Sequence, residues 1–150
     1  MELDAVDKRI INSIQSDFPI DKEPFKKIAG DLGITEEEVL TRVRVLKDAG
    51  IIRRIGGNFA PDKLGYVSTL CAARVPAEKL DAFAEAVNTY SGVTHNYVRD
   101  DDVNVWFTFI APSMDRIEES LAEIRRRTGV AEIMSLPATR VFKIKAEFVL

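Results

Sequence analysis

His95 and Trp106, the chain's one histidine and one tryptophan, both lie in the stretch GVTHNYVRDDDVNVWFTF, residues 92–109. Strand side chains alternate between faces, so an extended backbone here sets His95, Tyr97 and Arg99 on one side. An imidazole, a phenol and a guanidinium aimed at one place suit an anionic ligand that also exchanges a proton. Competing chemistries leave no trace. Paired carboxylates for glycoside cleavage, a Gly-rich phosphate loop and Ser–His–Asp spacing are missing from the sequence.

A second strand over residues 103–111 would complete a hairpin. With Asp100-Asp101 as the loop, Arg99 faces Asp102, Tyr97 faces Asn104 and His95 faces Trp106. His95, Tyr97, Arg99, Asn104, Trp106 and Thr108 then share one face. Val98, Val103, Val105, Phe107 and Phe109 form the apolar other face, and a slip of one residue would scramble this sorting. Each residue also has a plainer reading. His95 can be a structural residue, Tyr97 and Trp106 interface aromatics, and Arg99 a partner of Asp100, Asp101 and Asp102. Arg125, Arg126 and Arg127 read as a solvated helix end whose charge suits the helix dipole.

The elements that hold this hairpin come from two kinds of periodicity. Residues 1–60 read as helices. Leu3, Val6, Ile10, Ile11 and Ile14 recur at helical spacing and end near Phe18-Pro19. A second helix runs from Pro24 to Leu32 with Gly33 as its stop. Thr35 caps a third, with Thr35-x-x-Glu38 as a capping box, and that helix ends at Gly50. IIRRIGGNF then reads as a β wing with a Gly56-Gly57 turn, making a winged helix-turn-helix.

Residues 61–150 predict strand 66–75, helix 77–89, strands 93–99 and 103–111, helix 113–128 and strand 131–136. The alternating tail VFKIKAEFVL adds a further strand. This βαββαβ order is ferredoxin-like, so the whole is α+β, with domains at 1–60 and 61–150. Helices cover one face of such a sheet, and the other needs a partner or ligand.

With 150 residues, 46% of them hydrophobic, and a net charge of −3, the chain has a core but no global basic field for nucleic acid. The residues that a recognition helix would insert first are Glu36, Glu37 and Glu38, which oppose phosphates; Arg42, Arg44 and Lys47 lie farther along. A scaffold helix is the favoured reading. No apolar run is long enough to span a membrane, and the acidic start MELDAVD lacks signal-peptide character, which predicts a cytoplasmic protein. Cys71, alone on an apolar strand, reads as a buried hydrophobe, with no disulfide or cysteine metal motif.

The chain resembles the Lrp/AsnC architecture. Within it, RRIGGNFAPDKLGY (53–66), GVTHNYVR (92–99), NVWFTFIA (104–111) and LPATRVFKIKAEF (136–148) resemble one enzymatic branch, the siroheme decarboxylases and related heme d1 biosynthesis proteins. The resemblance implies loss of two acetate carboxyl groups from siroheme, giving didecarboxysiroheme on the alternative heme route. It implies a heterodimer of homologous subunits and no separate cofactor or metal, since the iron enters with the substrate. The family often has a second histidine where this chain carries Asp100, Asp101 and Asp102, so the partner is expected to supply an imidazole. Implied roles are catalysis by His95 and Tyr97, with His95 either transferring protons or ligating the substrate iron axially. Substrate binding falls to Arg99, Trp106, Asn96, Arg54 and Arg140, Arg53 being a further candidate. The rival reading is an Lrp/AsnC-type regulator that binds DNA and a small ligand.

Overall fold

The computed structural model describes residues 1–57, 59–143, 148 and 150. They form two compact units, Met1–Gly57 with Lys143–Leu150, and Asn58–Phe142.

The first unit holds three helices, α1 (Ala5–Ser16), α2 (Pro24–Leu32) and α3 (Glu36–Asp48). Their apolar stripes meet in a core of Ile10, Ile28, Val39, Val43 and Leu46. The cap geometry differs from the sequence expectation. Thr35 Oγ1 accepts the Glu38 amide at 3.2 Å, but the Glu38 carboxylate turns to Arg42 Nε at 3.0 Å instead of closing the box. The reciprocal box sits on α1, where Asp4 accepts from the Asp7 amide at 2.8 Å and Asp7 accepts from the Asp4 amide at 3.2 Å.

Arg42 joins these two helix starts, bonding Asp4 at 2.8 Å and Asp7 at 2.9 Å as well as Glu38. The three carboxylates raise its pKa. In turn, the Asp7 amide and the Arg42 guanidinium hold the Asp4 carboxyl below its usual value. Arg42 is thus engaged within its own domain.

The expected β wing is not formed among the described residues, which carry no strand between 51 and 57. After Gly50 turns the chain at φ +73°, the Ile51 and Ile52 amides both return to the Leu46 carbonyl, at 3.0 and 3.1 Å. These donors close the helix end, so they cannot start a ladder. Of the tail read as a strand, residues 144–147 and 149 lie outside the described residues, and 141–143 are irregular. Phe148 is held through its backbone, accepting from Gln15 Nε2 at 2.7 Å and donating to Gln15 Oε1 at 3.1 Å.

The second unit is a four-stranded sheet of β1 (Val67–Ala73), β2 (Val93–Val98), β3 (Val105–Ala111) and β4 (Ile133–Leu136), with α4 (Leu80–Asn88) and α5 (Met114–Thr128). Its strand order β2-β3-β1-β4, antiparallel throughout, is that of a ferredoxin-like domain. In β3, Val105, Phe107, Phe109 and Ala111 are buried while Trp106, Thr108 and Ile110 are half-buried. That alternation splits the sheet into a helix-covered face and an uncovered one. Phe107 meets Phe83 of α4 edge-on at 6.2 Å, with Ile117, Leu121 and Ile124 of α5 beside them.

The hairpin register differs from expectation by two residues. Tyr97 pairs with Trp106 and His95 with Thr108, while the Arg99 amide donates to the Asn104 carbonyl at 2.7 Å. The loop therefore spans residues 100–103. A shift of two returns every side chain to the same face. Asn104, however, is already engaged by a neighbouring segment. Its side chain accepts from the Val75 amide at 2.9 Å and donates to the Val75 carbonyl at 2.8 Å. Val98 is 60% exposed instead of lying under the helices, because β2 is an outer strand.

Candidate functional site

On the uncovered face, two rows of residues run across the sheet. One is Tyr97, Trp106, Ala72 and Met134; the next is His95, Thr108, Leu70 and Leu136. Tyr97, Leu70, Met134 and Leu136 are each about 40% exposed, and His95 is open to solvent. This is a mostly apolar floor with an imidazole and a phenol at its β2 edge.

Three contacts fix the polar edge. Thr94 Oγ1 lies 3.1 Å from His95 Nδ1. The Arg99 guanidinium carbon sits 4.7 Å from the Tyr97 ring centre, a stacking that pre-orients both groups. Trp106 donates its indole N–H to the Val103 carbonyl at 2.8 Å, which leaves the ring surface as its free feature. The loop carboxylate that does pair is Asp102, with Arg74 at 3.2 Å; Arg74 also holds Glu132 at 3.0 Å, and the two acids raise its pKa. Arg99 is therefore not placed as the plainer reading had it.

His95, Tyr97, Arg99 and Trp106 are thus brought together. Asn96 is turned to the other side of β2, beside Phe107, where its Nδ2 donates to Asn88 Oδ1 at 3.0 Å and ties the strand to α4. The proposed substrate contact for Asn96 gives way to this structural one. Arg140 is exposed in the sheet unit with its guanidinium carbon 4.8 Å from the Phe142 ring. Arg53 and Arg54 are exposed in the first unit. Cys71 is fully buried under the helices, and burial pushes its thiol up to about 12.

Sequence reasoning missed the parts played by Gly92 and Thr94, and counted Asn104 among the ligand-face residues without its anchor to Val75. A Cβ on Gly92 would fall onto the Ile110 carbonyl oxygen, so β2 can approach β3 there only as glycine. The G-V-T-H run carried that signal. Asn104 gave none, since its partner Val75 lies on a distant segment.

Among the described residues no group of His, Cys, Asp and Glu is arranged to hold a metal, and no helix is long and apolar enough to cross a membrane. With its floor open on one side, the site offers a flat, anionic ligand an aromatic surface, a carboxylate-binding fork and a proton-exchanging nitrogen.

Comparison with known proteins shows the family. Residues 7–53 match the siroheme decarboxylase NirDL-like HTH domain, and residues 63–143 match the AsnC-like ligand binding domain. The siroheme decarboxylase alpha subunit of Desulfovibrio desulfuricans is 49% identical over 98% of this chain and 84% of its own. The crystal structure of siroheme decarboxylase NirDL in co-complex with an iron-uroporphyrin III analogue is 33% identical, with a TM-score of 0.66 over 96% of this chain and 48% of that one. E. coli AsnC, at 17% identity, shares the fold with a TM-score of 0.80 over 98% of this chain and 99% of its own. The chain belongs to the siroheme decarboxylase family.

Proposed function

We propose that this protein is a subunit of siroheme decarboxylase on the alternative heme route, working with a homologous second subunit on the uncovered sheet face. The observation that carries the reading is the convergence of His95, Tyr97, Arg99 and Trp106 on that face, in a chain 49% identical to a siroheme decarboxylase subunit. Support for the partner comes from the relative's designation as an alpha subunit and from NirDL, of which this chain spans about half. A floor open on one side also favours a second protein surface to cover the ligand.

Siroheme is a flat tetrapyrrole carrying many carboxylates. Trp106 and Tyr97 give its ring apolar contact, and Arg99 binds a carboxylate through its fork of N–H donors. Removal of each acetate carboxyl exchanges CO2 for a proton: the ring is protonated, the C–C bond to the carboxylate breaks and its electron pair neutralises the ring as an exocyclic methylene. That methylene carbon then takes up a proton to become the methyl while the ring gives one up. The net change consumes one proton per CO2 and is redox-neutral. It therefore calls for an acid and a binding surface, with no separate cofactor; the iron arrives with the substrate. His95 is the proton donor and Tyr97 its neighbour at the reacting edge, and Arg140 lends a further carboxylate contact.

The test is anaerobic reconstitution with the homologous subunit, following visible absorption, CO2 and product mass. The expected result is two CO2 released per siroheme, with His95→Ala lowering kcat by about 10²-fold. Full turnover by that variant removes His95 from the chemistry. No CO2 release from any such pairing, with siroheme bound, removes the function.

A further inference from the structure

His95 stands beside an irregularity in β2. Val93 pairs with Phe109 and His95 with Thr108, which leaves Thr94 as an inserted residue with no opposite number. Gly92 makes the irregularity possible. Its carbonyl accepts the Ile110 amide at 2.9 Å, and any larger residue would drive a Cβ into the Ile110 carbonyl. In a regular strand Thr94 and His95 would point to opposite faces. A bulge re-aims one of them, and here it brings the threonine hydroxyl within 3.1 Å of Nδ1 of the histidine that follows it. A ring engaged at Nδ1 has Nε2 as its remaining polar atom, and the bond at one nitrogen sets the state of the other.

We propose that Thr94 is the positioning residue of His95, its hydroxyl accepting a hydrogen bond from Nδ1–H so that Nε2 is the nitrogen presented to the ligand. Only the nature of that ligand rests on the siroheme reading. With Nδ1–H held, the imidazolium gives its Nε2 proton to carbon, and the neutral ring keeps its Nδ1–H on Thr94 Oγ1. Solvent then restores the proton at Nε2, and the ring never turns over.

Because the chain has one histidine, nitrogen-15 NMR of the full chain observes a single imidazole, and its two nitrogen shifts report the tautomer ratio of the neutral ring. The wild-type chain is expected to be enriched in the Nδ1–H tautomer relative to Thr94→Val, with Thr94→Ser resembling wild type. In the reconstituted complex, Thr94→Val is expected to lower kcat about tenfold with KM for siroheme unchanged, and Thr94→Ser to restore most of it. Equal tautomer ratios in wild type and Thr94→Val overturn the proposal, as does an unchanged kcat. Should the wild-type complex release no CO2, the functional reading falls while the nitrogen spectra still decide the role of Thr94.

Discussion

Trp106 binds its own hairpin loop through the indole N–H, so only its ring surface is available to a ligand. Trp106→Phe is therefore expected to keep most of the affinity for siroheme, whereas Trp106→Ala loses about tenfold or more, the scale of an aromatic side chain's burial. An absorption titration separates the two, and equal losses would show that the N–H matters. Arg99 differs in kind, because its value lies in a planar fork already stacked on Tyr97. Arg99→Lys keeps the charge but loses the fork, and KM is expected to rise about tenfold with kcat little changed. Cys71 makes the opposite case. Its thiol, pushed up to about 12 by burial, is expected to resist thiol reagents until the chain is unfolded.

At the scale of elements, the β2–β3 junction depends on one missing methyl group. Gly92→Ala forces a Cβ against the Ile110 carbonyl, and the strands must part to accept it. The expected cost is about 3 kcal/mol, read as a lower denaturation midpoint, with loss of the Thr94–His95 contact. In the helical unit, an ion-pair cluster on Arg42 adds to the packing of α1 against α3. Asp4 titrates below its ordinary value of 3.8 in the folded chain. Its contribution is therefore fully present above that value and disappears as the pH falls through the lower, folded one. Arg42→Ala is expected to remove about 1 kcal/mol near neutral pH and to flatten the acid limb of the stability curve. Denaturant titrations at a series of pH values measure both effects.

At the scale of the molecule, Leu70, Met134 and Leu136 share the bare side of the sheet with the aromatic residues. If the homologous subunit covers them, Leu136→Glu is expected to weaken the complex by tenfold or more, visible as dissociation on dilution in analytical ultracentrifugation. What was legible in the sequence follows the same division of scales. Helical and strand periods gave the element order, and the two-residue pleat gave the correct sorting of His95, Tyr97 and Trp106 even with the pairing offset by two. The offset itself was hidden, because Asn104 of the hairpin is anchored by Val75, a contact between distant segments. Among the described residues no strand forms over 51–57; the pattern IIRRI does not reveal that its first two amides close a helix. The Asp4–Asp7 box escaped notice because aspartate replaced the glutamate usual at its third position. Asn96 looked like a ligand contact because it stands between His95 and Tyr97, but the strand's alternation turns it to Asn88 of α4.

The amide of Asn104 is occupied at both ends by Val75, and its carbonyl by Arg99. The tip of the hairpin is thereby moored to the end of β1, which guards the β2–β3 pair against fraying at its loop and keeps the stacked Arg99 and Tyr97 beside a fixed indole.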